Sequence, residues 1–300
     1  MKRETKTKGV LSCLLALVLA LSITPSVFAE ESVGGTTIYV DAMNGDDTQE
    51  GVGTTSDTAY KTVAAAVAAA ESGDTIQLSE GNYTLYGVSS EGHTKGKDLT
   101  FVGQGTDQTG WNIGAEVPDP ANFGTEYNGD YSFDGAKTIA FENMTLRSGK
   151  ADYLGFIRAN NTIVENCVIN GKTFYWGYQT AIFRNTTFNC PNKDYAIWTY
   201  SSPVMTFDNC TFNSSGKVIN VYTDYSAGKH DITVNFNGCT VNNSDQSLKP
   251  VLNINDSNMG DYKYVINISG SNAVNGVDTD KITCSRLFGY GGKTPHNKSK

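Results

Sequence analysis

Chemistry on sugars or metals needs grouped carboxylates, a positioned base, or flat rings held open to solvent. The candidate charged groups are Arg158, Asp194, Asp224 and Asp256, one to a repeat and far apart in the chain. The three histidines, His93, His230 and His296, have no partner at metal-ligand or triad spacing. No Cys-x-x-Cys pair exists, so the sequence offers no zinc site. Asp41, Asn44, Asp46 and Asp47 form an oxygen-rich loop that suits a hard cation such as calcium. Their spacing departs from a 12-residue EF-hand loop. A solvated turn with side-chain-to-backbone hydrogen bonds is the favoured reading there. No resident metal or other cofactor is therefore expected.

Aromatic residues give a clearer pattern. Tyr175, Trp176, Tyr178, Trp198, Tyr200, Tyr222 and Tyr225 cluster in one part of successive repeats. In Ala196-Ile-Trp-Thr-Tyr200, inward Ile197 and Thr199 would leave Trp198 and Tyr200 outside. In Val218-Ile-Asn-Val-Tyr222, inward Ile219 and Val221 would leave Asn220 and Tyr222 outside. Trp176, Trp198, Tyr200 and Tyr222, with Arg158, are the candidate ligand-binding residues. Outward rings on stacked strands would form a strip for the C–H face of a pyranose. The competing reading is that several of these rings merely cover the core beneath loops.

The elements that would position them come from a recurring phrase. It reads Phe141-Glu-Asn143-Met-Thr-Leu146, Val164-Glu-Asn166-Cys-Val-Ile169 and Phe183-Arg-Asn185-Thr-Thr-Phe188. It returns as Phe207-Asp-Asn209-Cys-Thr-Phe212 and Phe236-Asn-Gly238-Cys-Thr-Val241, with a looser copy Ile268-Ser-Gly270-Ser-Asn-Ala273. The Asn/Gly positions are 23, 19, 24, 29 and 32 residues apart. Repeats at such periods mean stacked supersecondary units. Period-2 alternation on either side marks strands with one buried face. Asn or Gly between them marks a corner, because both tolerate the left-handed backbone. A third strand fits between copies at Leu154–Ala159, Ala196–Tyr200, Val218–Tyr222 and Val251–Asn255.

The expected fold is all-β: a right-handed parallel β-helix of about eight coils, one strand spacing of roughly 4.8 Å per coil. Asn143, Asn166, Asn185 and Asn209 should stack as an amide ladder. Cys167, Cys210 and Cys239 should form an inward ladder with Met144 and Thr186, as free buried thiols rather than disulfides. Cys190 and Cys284 fall outside that register. A leucine-rich repeat is excluded by scarce Leu and irregular spacing.

Residues 1–29 read as a signal peptide: basic Lys2, Arg3, Lys6 and Lys8, an apolar run Val10–Ile23, and a cleavage site at Val27-Phe28-Ala29. The apolar run is too short for a typical spanning helix, so no membrane insertion is expected after cleavage. The mature chain would carry 19 Lys+Arg against 30 Asp+Glu, a net −11. That charge disfavours nucleic acid and anionic membrane. Residues 30–98 read as an N-terminal cap and first coil, 99–276 as coils, and 277–300 as a last strand and polar tail. In the cap, Val63–Ala70 is an Ala-rich helix with Thr62 as N-cap. A short helix across the open end of a stack would cover its strand edges and core.

The order Ile38-Tyr-Val-Asp41, Asn44-Gly-Asp-Asp47, Tyr60-Lys-Thr62, Ala-rich helix, Asp74-Thr-Ile-Gln-Leu78, Gly81-Asn-Tyr83 resembles the start of bacterial pectin-lyase-like right-handed β-helix proteins. The coils at 139–273 are similar to that superfamily's repeats. The resemblance implies the fold, and export to the medium or cell surface. It does not choose among lyases, hydrolases, esterases and non-catalytic surface proteins. A Trp-Ile-Asp-His run, an Arg-x-Pro-x-x-Arg motif and the galacturonase-type pattern are all missing. A lyase would also need carboxylates and a base on one strand face of adjacent coils, and the middle coils show no such cluster. The first expectation is thus a monomeric, non-catalytic surface or secreted module for polysaccharide or host glycan. The alternatives are a divergent lyase or hydrolase on acidic polysaccharide, and a structural stalk.

Overall fold

The computed structural model describes residues 35–48, 52–84, 96–113, 133, 135–148, 156–157, 159–171, 175–190, 195–199, 204–214, 217–222, 231–243, 252–255, 264–275 and 288–290. Residues 1–29, Arg158, Tyr200, Tyr225, the histidines, Asp194, Asp224, Asp256 and Cys284 lie outside these residues.

Among the described residues, nearly all of the regular structure is strand, and every strand pairing is parallel. The first sheet has nine strands in chain order: Thr37–Val40, Thr75–Leu78, Leu99–Val102, Thr138–Glu142, Asn161–Glu165, Thr180–Arg184, Val204–Asp208, Ile232–Asn237 and Tyr264–Ser269. The second has eight: Gly81–Thr84, Thr109–Ile113, Thr145–Ser148, Val168–Asn170, Thr187–Cys190, Thr211–Ser214, Thr240–Asn243 and Ala273–Asn275. A third side carries Phe156–Ile157 paired with Tyr175–Trp176. It also carries a four-stranded sheet of Tyr195–Thr199, Lys217–Tyr222, Leu252–Asn255 and Phe288–Tyr290. The chain visits the sheets in rotation, so equivalent strands of successive repeats stack, consistent with a β-helix. The nine-stranded sheet holds one strand more than the eight coils expected.

The corners follow from the phrase. Asn143, Asn166, Asn185 and Asn209 have φ of 55°, 52°, 47° and 51°, and Gly238 and Gly270 have 63° and 70°. All six copies therefore turn at their Asn or Gly in the left-handed region, which other L-residues enter only at a cost. Asn185 donates through Nδ2 to Asn166 Oδ1 at 3.1 Å, and Asn209 to Asn185 Oδ1 at 2.8 Å.

Stacking turns sequence equivalence into columns. Phe183 lies parallel to Phe207 at 5.0 Å between centroids, Phe207 meets Phe236 at 5.4 Å, and Phe188 meets Phe212 at 4.7 Å. Met144, Cys167, Thr186, Cys210 and Cys239 are all buried as the inward column after the corner. Each hydroxyl or thiol there lies within hydrogen-bond reach of a carbonyl of the preceding coil and of the carbonyl two residues back in its own. Thr186 reaches Val164 O at 3.4 Å, Cys210 reaches Phe183 O at 3.4 Å, and Cys239 reaches Phe207 O at 3.2 Å. Cys167, Cys210 and Cys239 are free thiols. Burial is the main reason that the Cys167 thiol is pushed up to about 12.

A second amide ladder was not anticipated. Asn189 donates to Asn170 at 2.9 Å, Asn213 to Asn189 at 2.7 Å, and Asn242 to Asn213 at 2.7 Å. These residues stand four positions after each corner, on the solvent side of the second sheet.

The helix Val63–Ala69 ends one residue sooner than expected. Thr62 Oγ1 accepts from Ala65 N at 3.2 Å, as an N-cap should. Lys97 Nζ donates to Val67 O and Ala68 O at 2.9 and 3.1 Å, placing a cation at the helix C-terminus. Val63, Ala66 and Val67 join the same buried cluster as Val40, Ile76 and Leu78.

Candidate functional site

The residue just before each corner lies in one column of the first sheet. Pairing sets Glu142 beside Glu165, Glu165 beside Arg184, and Arg184 beside Asp208. Because Phe141, Val164, Phe183 and Phe207 point inward and are buried, the next residue of each strand points outward. Arg184 Nη1 lies 3.4 Å from Glu165 Oε2, with both side chains about one-third exposed. Asn237, the next member, donates to Asp208 Oδ1 at 3.4 Å. Partial burial, and then the neighbouring Glu165 charge, raise the Glu142 carboxyl above its ordinary range.

This column overturns the expectation that the middle coils lack grouped charges. It joins three carboxylates and a guanidinium on adjacent coils, with the Glu142 pKa raised and Glu165 paired to Arg184. Such an arrangement can donate a proton and stabilise developing charge. The signal was present in the phrase copies, whose pre-corner residues read Glu, Glu, Arg, Asp, Asn and Ser. Among the described residues, no three His, Cys, Asp or Glu gather as a metal cluster.

The aromatic candidates divide. Trp176 is 2% exposed and meets Phe183 edge-on at 5.3 Å, so it is a core side chain rather than part of a surface strip. This corrects its assignment as a ligand-binding residue. Its two-residue strand leaves too little alternation for the sequence to fix which side is inward. Tyr178, just beyond, is 39% exposed. Ile197 is fully buried, which agrees with its inward assignment. The backbone register pairs Ile197 with Ile219 and then Leu252. The alternate positions run Trp198, Asn220 and Asn253, with Tyr222 paired to Asn255. Arg158 and Tyr200 lie outside the described residues.

The N-terminal loop carboxylates are each occupied by a different set of donors. Asp41 Oδ1 accepts from Met43 N at 2.8 Å and Asn44 N at 3.0 Å, and its Oδ2 accepts from Asn44 Nδ2 at 3.1 Å. The Asn44 backbone N–H is the main reason that the Asp41 carboxyl lies below its ordinary range. Asp46 Oδ1 accepts from Thr48 N and Oγ1 at 2.8 and 2.6 Å. Asp47 accepts from Lys61 N at 2.7 Å, Thr62 N at 3.1 Å and Thr62 Oγ1 at 2.8 Å. The loop thus ties its own turn and anchors the helix N-cap.

Comparison with protein-family models and with curated proteins finds no match to this chain.

Proposed function

We propose that the protein is an exported, monomeric, right-handed parallel β-helix of the pectin-lyase-like kind that binds polysaccharide or host glycan without cleaving it. Right-handedness follows from the strong preference of parallel strand–connection–strand units. The helix Val63–Ala69 covers the open end of the first coil. The observation that carries the binding reading is the third-side register. It sets Trp198 in line with Asn220 and Asn253, and Tyr222 in line with Asn255. Aromatic positions one strand spacing from amide positions supply the two contacts that a sugar needs: a ring face for C–H groups, and donors and acceptors for hydroxyls. The leader directs export, and the net acidity suits a polymer that is neutral or carries cations.

A glycan array of the mature protein tests this, run beside a Trp198→Ala/Tyr222→Ala double variant. Binding should survive chelator and disappear in the variant. Binding that is unchanged in a folded double variant would refute the reading.

The charged column favours a second reading, a polysaccharide-cleaving enzyme. Glu142 would serve as proton donor, with Glu165 beside it and Arg184 one coil further on, paired to Glu165. Incubation with acidic polysaccharides, followed by chromatography of the products, separates the two. Shortened oligosaccharides that vanish with Glu142→Gln would favour cleavage over binding alone.

A further inference from the structure

The inward column after the corner holds cysteines at three of its buried positions, but only two are neighbours. Thr186 separates Cys167 from Cys210, whereas Cys210 and Cys239 occupy successive coils. Their register is fixed on both sides. Asp208 pairs with Asn237 just before the corner, and Thr211 pairs with Thr240 just after the cysteines. Thr240 N also donates to Cys210 O at 2.8 Å. Both thiols are free, and both are at most 2% exposed. Cys190, by contrast, pairs with Ser214 in the next coil.

We propose that Cys210 and Cys239 form an inter-coil disulfide when the protein meets an oxidising environment. One strand spacing of roughly 4.8 Å falls within the usual range of Cα separations for a disulfide. Both side chains already point into the same buried column. The oxidant is a disulfide-bearing thiol compound such as oxidised glutathione. One cysteine attacks a glutathione sulfur as its thiolate, forms a mixed disulfide and expels one glutathione thiol. The second cysteine then displaces the other glutathione. Two protein thiols become one disulfide, and one oxidised glutathione becomes two reduced molecules, so hydrogens and electrons balance. Because the native thiols are buried, the reaction runs while these coils are open, during folding or local unfolding. The bond would clamp neighbouring coils across the 28 residues between the two cysteines.

The mature chain, unfolded and reduced, is refolded in a glutathione redox buffer, alkylated in denaturant, digested with trypsin and read by non-reducing mass spectrometry. The expected product joins peptide 194–217 to peptide 230–263, is 2 Da lighter than the two reduced peptides together, and separates on reduction. It should persist in Cys167→Ser and be absent from Cys239→Ser, in which Cys210 is alkylated. Because thiols are counted after denaturation, the result does not depend on whether a variant folds stably. The oxidised wild type should also melt at a higher temperature than the reduced form. Complete alkylation of both Cys210 and Cys239, or a linkage of either one to Cys167, Cys190 or Cys284, would overturn the proposal. Glycan binding enters none of these readouts, so this test and that of the proposed function fail independently.

Discussion

Replacing Asn209 separates the two physical reasons for an asparagine at a coil corner. The residue sits at φ 51° and donates through Nδ2 to Asn185 Oδ1 at 2.8 Å. Alanine keeps the Cβ but loses the side chain that eases the left-handed conformation, at about 1 to 2 kcal/mol. It also loses an amide hydrogen bond, worth about 1 kcal/mol net and less at an exposed position. Asn209→Ala should therefore cost about 2 to 3 kcal/mol. Asn209→Gly loses the same hydrogen bond without the steric penalty and should cost about 1 kcal/mol. Asn213→Ala is the informative comparison. Asn213 donates to Asn189 and accepts from Asn242, both at 2.7 Å, and is not among the residues of positive φ. Losing both contacts should cost about 1 to 2 kcal/mol, not the negligible amount expected of a residue outside a ladder. Urea denaturation followed by circular dichroism gives the three values. Stacked repeats can unfold in parts, so amide exchange across Val204–Asp208 and Thr211–Ser214 should accompany it. Equal losses for Asn209→Ala and Asn209→Gly would refute the backbone argument.

Two further outcomes follow from the same columns. Gly238 has φ 63° and open space where a Cβ would stand, so Gly238→Asn should continue the corner ladder and raise stability by about 0.5 to 1 kcal/mol; a lower urea midpoint would count against it. The raised Glu142 pKa means that the folded state holds this proton more tightly than the unfolded chain. Its contribution to stability is then greatest at acid pH and is lost as pH rises from the ordinary glutamate range through the folded value. Glu142→Gln should remove that part of the loss and melt higher than wild type near neutrality, and identical pH–melting curves would show that the burial and Glu165 repulsion are not felt.

The two sheets were legible because the phrase keeps a fixed length around each corner. Buried Phe, Val and Ile alternate with polar residues, and Asn or Gly marks the turn, so strand, face and bend can all be read from six letters. The inward thiols and Thr186 followed from the same alignment. The second amide ladder was missed because Asn170, Asn189, Asn213 and Asn242 lie one residue beyond the point where the phrase was cut. The charged column was missed for a different reason: its members differ in type, so the pattern is one of position and not of letter. On the third side the reading weakened at Trp176. The chain there varies in length from repeat to repeat, and a two-residue strand carries almost no alternation.

That unequal length has an evolutionary and engineering consequence. Corner-to-corner distances range from 19 to 32 residues, yet the first two sheets stay in register. The surplus is taken up between a second-sheet strand and the next first-sheet strand, so the gene can gain or lose codons there without shifting the ladders. A short foreign peptide spliced between Ser214 and Lys217 would meet this tolerance, whereas one residue added between Asn209 and Thr211 would move every following inward side chain of its strand to the wrong face. The repeat therefore separates a part of the coding sequence that must keep its frame of alternation from a part free to acquire new recognition surfaces.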